Sequence, residues 1–258
     1  MIELYAWFSA FFHKRRKMAV IKHGQTICLY GRVNHWHESR KTLVKELNLI
    51  ADNDVAGYMI EMAVDWSSDE AIKKICKEYK WLVKQCRRRN LILFNSIVND
   101  NLGRSGGKRL ADYYDRALML LDCVKNCGNK GVYVQPVAET QTSGGTRFEK
   151  DCVSKIKNFN LVYNGGSRPS GPAAGFTWFA VHPSKIDVKN NPKAWVVSDH
   201  SLLIKELNGG PIDGHGYQPN VKRWVLLNRN LGVPVIGYYA YMVRDLDKNT
   251  IKTIGSAR

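Results

Sequence analysis

Two apolar segments of this sequence end on a carboxylic acid, and these two acids have the chemistry of a catalytic pair. Glu139 ends the run VYVQPVAE, and Asp199 ends the run AWVVSD. One carboxyl group can give a proton to a leaving oxygen while the other attacks the substrate or activates water, as in glycosidic bond cleavage. Asp65 follows a third apolar run, and Glu61 lies inside that run, so both are further candidate carboxylates.

Eight short apolar runs, rich in β-branched and aromatic residues, are spaced along the chain, and most precede a segment with helical periodicity. Strands of this kind that alternate with helices are typical of a parallel sheet covered on its outer face. Eight units in 258 residues predict an α/β fold, a single (β/α)8 TIM barrel, rather than a doubly wound sheet. The predicted strands are Gln25–Gly31, Gly57–Val64, Leu91–Val98, Val132–Glu139, Phe159–Asn164, Phe176–His182, Ala194–Asp199 and Val233–Tyr241.

Amphipathic segments and capping residues predict the helices between these strands. Ser67 and Ser68, followed by two acids, supply an N-cap and a negatively charged first turn. Gly165–Gly175 is rich in Gly and Pro, so a missing or irregular helix is expected after strand five. The predicted helices are Ser39–Ala51, Ser67–Arg89, Lys108–Lys125, Thr146–Lys157, Ser201–Leu207 and Val221–Leu231.

The chain is predicted to contain one barrel domain, residues 18–258, and an apolar and basic N-terminal extension, residues 1–17. The first twelve residues are too few to span a bilayer, and no transmembrane segment is expected. Their positive charges follow the apolar run, so no secretory signal is recognised. The extension is expected to dock on the barrel or on a partner. Six cysteines without a C-x-x-C motif are typical of reduced cytosolic thiols, although the compartment stays open.

The barrel prediction converts strand ends into a candidate site, because the reaction face of such a barrel lies at the carboxyl ends of its strands. Glu139 and Asp199 would meet at this rim, and the period of two along a strand would place Glu61, Asn95 and Gln135 one layer deeper. Aromatic side chains near the rim could stack on sugar rings or pack under loops. The expected substrate-binding residues are Trp36, Trp66, Asn99, Asn164, His182, His200, Tyr239 and Tyr241.

With Glu139 in PVAET and Asp199 in VVSDH, the chain resembles the clan of TIM-barrel glycoside hydrolases whose acid/base ends strand four and whose nucleophile ends strand seven. The resemblance implies cleavage of a polysaccharide or glycoconjugate, with Glu139 as acid/base and Asp199 as nucleophile or base. That clan normally has Asn-Glu on strand four and Glu on strand seven. Ala138 and Asp199 differ from this pattern, which leaves retaining and inverting routes both open.

The charge of the chain narrows the choice of partner. A net charge of +16 and a pI of about 9.6 favour an anionic partner, and an acidic carbohydrate substrate would fit this charge. Nucleic acid is the less favoured anionic partner, because no zinc-finger spacing or RRM signature is present. No cofactor and no metal are expected for the glycosidase.

Two other functions are compatible with the same fold. A metal-dependent, amidohydrolase-like hydrolase could use the His35-x-His37 pair after strand one, with His182 and either Asp199 or Asp245 completing the ligands. A barrel without catalytic activity could serve as a binding or structural module, for which the basic charge and the apolar extension are suited.

Overall fold

The computed structural model describes residues 27–33, 39–62, 65–98, 110–137, 145–164, 176, 178–181, 194–197, 235–239 and 248–256. Within these ranges the chain forms eight strands, five α-helices and one 3-10 helix. The strands are β1 (Ile27–Val33), β2 (Gly57–Glu61), β3 (Ile92–Val98), β4 (Val132–Val137), β5 (Asn160–Asn164), β6 (Trp178–Val181), β7 (Ala194–Val197) and β8 (Val235–Tyr239). The α-helices are α1 (Arg40–Asp52), α2 (Asp69–Arg88), α3 (Tyr114–Cys127), α4 (Gly145–Lys155) and α5 (Lys248–Ser256), and the 3-10 helix Leu110–Tyr113 precedes α3.

The eight strands form a closed barrel in chain order, and each strand pairs in parallel with the next. Strand β8 pairs in parallel with β1, which closes the ring. Leu29 of β1 aligns with Gly57 on one side and with Gly237 on the other. The prediction of a (β/α)8 TIM barrel is therefore confirmed.

Strand β3 shows why its sequence is apolar almost throughout. Every residue of β3 is buried, because one face of the strand contacts the surrounding helices and the other faces the barrel interior. Asn95 contacts Tyr79 of α2, so the helix-facing set includes Leu93 and Ile97. The alternate set, which includes Phe94, points into the barrel.

Helix α2 covers the outer face of β3. Its N-cap is Ser68, whose side-chain oxygen accepts a hydrogen bond from the backbone N–H of Ala71 at 3.1 Å. Asp69 and Glu70 in the first turn are favourable at the positive end of the helix dipole. The buried side chains recur at helical spacing and pack on the strand; they are Ile72, Tyr79, Leu82, Val83, Gln85 and Cys86.

Helix α5 follows β8 and packs against α1, which follows β1. Its Ile251 and Ile254 side chains are fully buried. Gly255 lies so near the end of α1 that a Cβ atom there would overlap the carbonyl oxygen of Asn53. The sequence pattern does not predict this helix.

Most predicted strands agree with the structure within two or three residues at each end. Among the described residues, no helix has the length and apolar character required to cross a membrane. Four predicted segments lie outside the described residues: the extension 1–17, the Gly/Pro-rich stretch 165–175, and the helices predicted at 201–207 and 221–231.

Candidate active site

The candidate site lies at the carboxyl ends of the strands, where parallel barrels carry their reactive groups. Strand β4 ends at Val137 and β7 ends at Val197. Glu139 and Asp199 each come two residues after these strand ends, and both lie outside the described residues. Their pairing across the rim therefore stays a prediction.

A polar layer crosses three neighbouring strands just below this rim. In the register of the sheet, Glu61 of β2 aligns with Ser96 of β3, and Ser96 aligns with Gln135 of β4. Gln135 donates a hydrogen bond from Nε2 to Ser96 Oγ at 2.7 Å, and both side chains are buried. Glu61 is half-buried. A carboxyl group and two neutral polar groups thus occupy one level of the barrel interior.

Ser96 is the member of this layer that sequence reasoning missed. It lies between Asn95 and Ile97 in a run that is otherwise apolar on both faces. Its only sequence signal is a hydroxyl group in a buried strand, where a polar atom requires a hydrogen-bond partner. The register supplies that partner in Gln135.

The expectation that Asn95 lies inside the barrel was wrong. Asn95 Oδ1 accepts a hydrogen bond of 3.0 Å from the hydroxyl of Tyr79 on α2, so this side chain lies between the strand and the helix. Burial in this apolar layer raises the pKa of Tyr79 well above its ordinary value, so the phenol stays protonated and acts as the donor. Asn95 therefore anchors α2 to the barrel wall.

Asp65 and Trp66 follow β2 in the turn that leads to α2. Asp65 is exposed, and its Oδ1 accepts a hydrogen bond of 2.9 Å from the backbone N–H of Ser67. Trp66 is only 6% exposed, and its ring lies 6.0 Å from the ring of Tyr113, centroid to centroid. The backbone oxygen of Trp66 accepts from Arg116 of α3. These contacts favour packing, rather than sugar stacking, as the role of Trp66.

The strand ends also give the positions of two other predicted binding residues along the barrel. Asn164 is the last residue of β5 and aligns with Ala180. Tyr239 is the last residue of β8 and aligns with Gly31. Both thus stand at the carboxyl ends of their strands. The predicted residues that lie outside the described part of the chain are Trp36, Asn99, His182, His200 and Tyr241.

The alternative metal site also falls outside the described residues, since none of His35, His37, His182 and Asp245 is among them. Within the described ranges, no three His, Cys, Asp or Glu side chains are grouped so that they could hold a metal ion. The metal site therefore stays a prediction.

Comparison with known proteins places the chain among TIM barrels. A solved structure of a GH113 β-1,4-mannanase superposes with a TM-score of 0.60 at 9% identity, covering 93% of this chain and 100% of that one. A glycoside hydrolase family 5 protein from Bacteroides vulgatus gives a TM-score of 0.58 at 8% identity, covering 83% of this chain and 58% of that one.

Not every similar barrel is a glycosidase. Thiamine phosphate pyrophosphorylase from Pyrococcus furiosus gives a TM-score of 0.53 at 11% identity, covering 90% of this chain and 95% of that one. No protein-family profile and no curated protein sequence matches the chain. At these identities the similarity defines the fold, and function has to be argued from the site.

Proposed function

We propose that this barrel is a glycoside hydrolase that cleaves a polysaccharide or glycoconjugate with Glu139 and Asp199 as its two carboxyl groups. The observation that carries the proposal is the place of these acids in the sequence relative to the strand ends of the closed barrel. Each follows the carboxyl end of its strand by two residues, and the two strands stand three positions apart in the ring. The neighbouring glycoside hydrolase structures have the same fold.

The proposed roles follow from the chemistry of acetal cleavage. Glu139 protonates the leaving-group oxygen, which requires a carboxyl pKa raised by partial burial. Asp199 attacks the anomeric carbon or activates water. A separation of about 5–5.5 Å between the carboxyl groups would favour retention, and about 6.5–9.5 Å would favour inversion.

In this proposal, the polar layer below the rim supports the two carboxyl groups above it. Glu61 lies one level beneath the rim, beside the hydrogen-bonded pair Ser96 and Gln135. A half-buried carboxyl group held among polar neighbours can orient the residue above it or exchange a proton with it. Asp65 is the alternative carboxylate at the rim.

The first substrate to test is β-1,4-mannan, because several similar structures are mannanases. An acidic polysaccharide is the second, because the net charge of +16 favours an anionic substrate. Released reducing ends would be measured on a panel containing both.

Replacement of the two acids tests the mechanism. Glu139→Gln and Asp199→Asn are each expected to lower kcat by about 10²- to 10⁴-fold without changing Tm, since a general acid or base contributes about that factor. Asp122→Asn and Glu70→Gln remove exposed carboxylates on α3 and α2, so they serve as matched controls that keep full activity.

The outcomes separate the three functions. Hydrolysis that survives both substitutions would contradict the assignment of the pair, and hydrolysis lost on chelation and restored by a metal ion would support the amidohydrolase-like alternative. Glycan binding measured by calorimetry, with no cleavage of any substrate in the panel, would favour a binding module.

A further inference from the structure

A groove lies on the outer wall of the barrel, between the C-terminal parts of α2 and α3. Both helices run opposite to the strands, so these ends lie near the amino ends of the strands, away from the candidate active site. The groove has a volume of about 540 Å³, within the range of small-molecule sites. Its lining residues are Lys80, Val83, Lys84, Arg87, Arg88, Asn126 and Cys127.

The groove is strongly basic. Four of its seven lining residues are cationic, and none of the seven is acidic. Arg87 is held in place, because Nε donates to the Lys130 carbonyl oxygen at 3.0 Å and Nη2 donates to the Gly128 carbonyl oxygen at 2.9 Å. Lys80, Lys84 and Arg88 are exposed. An anionic small molecule therefore matches this groove in charge and in size.

One lining residue adds a nucleophile to this basic groove. Cys127 is half-buried at the end of α3, one turn after the buried Cys123. The Cys123 thiol contacts α2, where its sulfur lies 3.6 Å from the carbonyl oxygen of Cys76. The neighbouring Cys123 side chain lowers the pKa of Cys127, burial opposes this, and the charges of Lys80 and Arg87 lower it further. Such a thiol, partly exposed and beside cations, is of the reactive kind.

We propose that the groove binds an anionic low-molecular-weight disulfide of the glutathione disulfide type and that Cys127 forms a mixed disulfide with it. The carboxylates of the ligand are bound by Lys84 and Arg88, which brings its sulfur–sulfur bond to Cys127. The Cys127 sulfur, after losing its proton to solvent, attacks one ligand sulfur. The ligand disulfide breaks, and the departing half leaves with the electron pair as a thiolate that then takes up a proton.

The neighbouring thiol does not readily displace the adduct. Cys123 and Cys127 are four residues apart on one helix, where Cβ atoms are about 5–6 Å apart. A disulfide needs a Cβ–Cβ distance of about 3.5–4.5 Å, so a bond between these two residues would require α3 to unwind. Cys123 therefore does not readily resolve the mixed disulfide at Cys127, and an external thiol is expected to reduce it.

The experiment uses the full chain, treated with glutathione disulfide and followed by intact mass spectrometry and peptide mapping. We expect one glutathionyl group, located on Cys127 and removed by a reducing thiol. Cys127→Ser should abolish the adduct. Cys76→Ser, which removes a half-buried thiol on the facing helix α2, should retain it. An adduct on Cys76 or on any other cysteine of the native chain would overturn the proposal, and mapping of the unsubstituted protein gives this result even if a variant fails to fold.

A second comparison tests recognition by the groove separately from the reactivity of the thiol. Lys84 and Arg88 line the groove but are not among the charges that shift the pKa of Cys127. The double substitution Lys84→Gln and Arg88→Gln should slow the reaction with glutathione disulfide by about two- to tenfold, the size expected of two exposed charge pairs. The rate with uncharged bis(2-hydroxyethyl) disulfide should not change. Equal slowing with both reagents, or no slowing with either, would refute the groove as the recognition site.

Discussion

At the scale of single residues, Glu149 makes stability depend on pH. It lies on α4 with only 4% of its surface exposed, and within the described part of the chain its Oε1 has no hydrogen-bond partner. Burial raises its pKa from the ordinary value of 4.5 to about 7. The folded protein therefore favours the protonated, neutral carboxyl group.

The pKa shift of Glu149 determines whether stability rises or falls with pH. Between about pH 4.5 and pH 7 the folded state binds more protons at this group than the unfolded state, so the contribution to stability falls as pH rises and stays low above pH 7. Glu149→Gln removes this dependence. The change in the free energy of unfolding that the substitution causes should therefore be about 1–3 kcal/mol more favourable at pH 8 than at pH 4.5.

Urea denaturation at pH 4.5, 6, 7 and 8 would measure this difference. Glu70→Gln, which changes a carboxylate exposed on α2, is the matched control and should show no such trend. Parallel pH profiles for the native chain and Glu149→Gln would show that burial does not perturb this carboxyl group.

Asn95 and Ser96 show how adjacent residues acquire different roles. Asn95 contacts Tyr79 on the outer face of β3, while Ser96 contacts Gln135 inside the barrel. Both side chains are fully buried, so each needs a partner from a different layer. Period two predicted that they point in opposite directions, but in an apolar run it gave no sign of which direction was inward.

At the scale of elements, the start of α2 was predictable because helix capping is local. The sequence predicted an N-cap at Ser67 or Ser68, and the structure has Ser68 in that position. Its side chain bonds to the N–H of Ala71, three residues away, so the interaction needs no distant part of the chain.

Removal of this cap should weaken the protein by a modest amount. Ser68→Ala is expected to lower the free energy of unfolding by about 1 kcal/mol, because the N–H of Ala71 loses its acceptor. Urea denaturation would measure the loss. Ser67→Ala, at the preceding exposed serine, should change stability by less than about 0.5 kcal/mol. Equal losses from the two substitutions would contradict the capping role of Ser68.

Helix α5 was missed because its local signals are weak. Its nine residues contain two isoleucines three positions apart and a glycine in the last turn, and glycine is a poor helix former. Short helices depend on tertiary packing for most of their stability. The packing of α5 on α1 supplies this, and it joins segments about 200 residues apart in sequence.

At the scale of the whole molecule, the contact between α5 and α1 links the last βα unit to the first. Gly255 lets the two helices approach closely, because a Cβ atom there would overlap the backbone oxygen of Asn53. A backbone atom is not easily displaced, so the contact tolerates only glycine.

Gly255→Ala should therefore destabilise the barrel. Alanine favours a helix by about 1 kcal/mol, but overpacking against backbone costs about 1–3 kcal/mol, and we expect a net loss because the overlap is severe. Thermal unfolding would detect a lower Tm. Lys252→Ala, on an exposed position of the same helix, is the control and should leave Tm nearly unchanged. A Tm that rises in Gly255→Ala would show that α5 and α1 are not in this close contact.

The distribution of charge also belongs to the whole molecule. The excess of 39 basic over 23 acidic residues was read from sequence as a general preference for anions. Folding concentrates part of it in the groove between α2 and α3, where Lys80 and Arg87 come within range of Cys127. The sequence around Cys127 gave no sign of these two partners, since Lys80 and Arg87 lie 40 or more residues away.

The sequence by itself determined the eight strands, four of the five described helices and the cap of α2, because each depends on periodicity or on neighbours within a few residues. Only the tertiary structure decided the register of β8 against β1, the inward level shared by Glu61, Ser96 and Gln135, and the outward position of Asn95. The physical reason is that contacts between segments far apart in the chain set the register of a strand and decide which of its faces points into the barrel. The alternation of residues along one strand does not specify how that strand aligns with neighbouring strands.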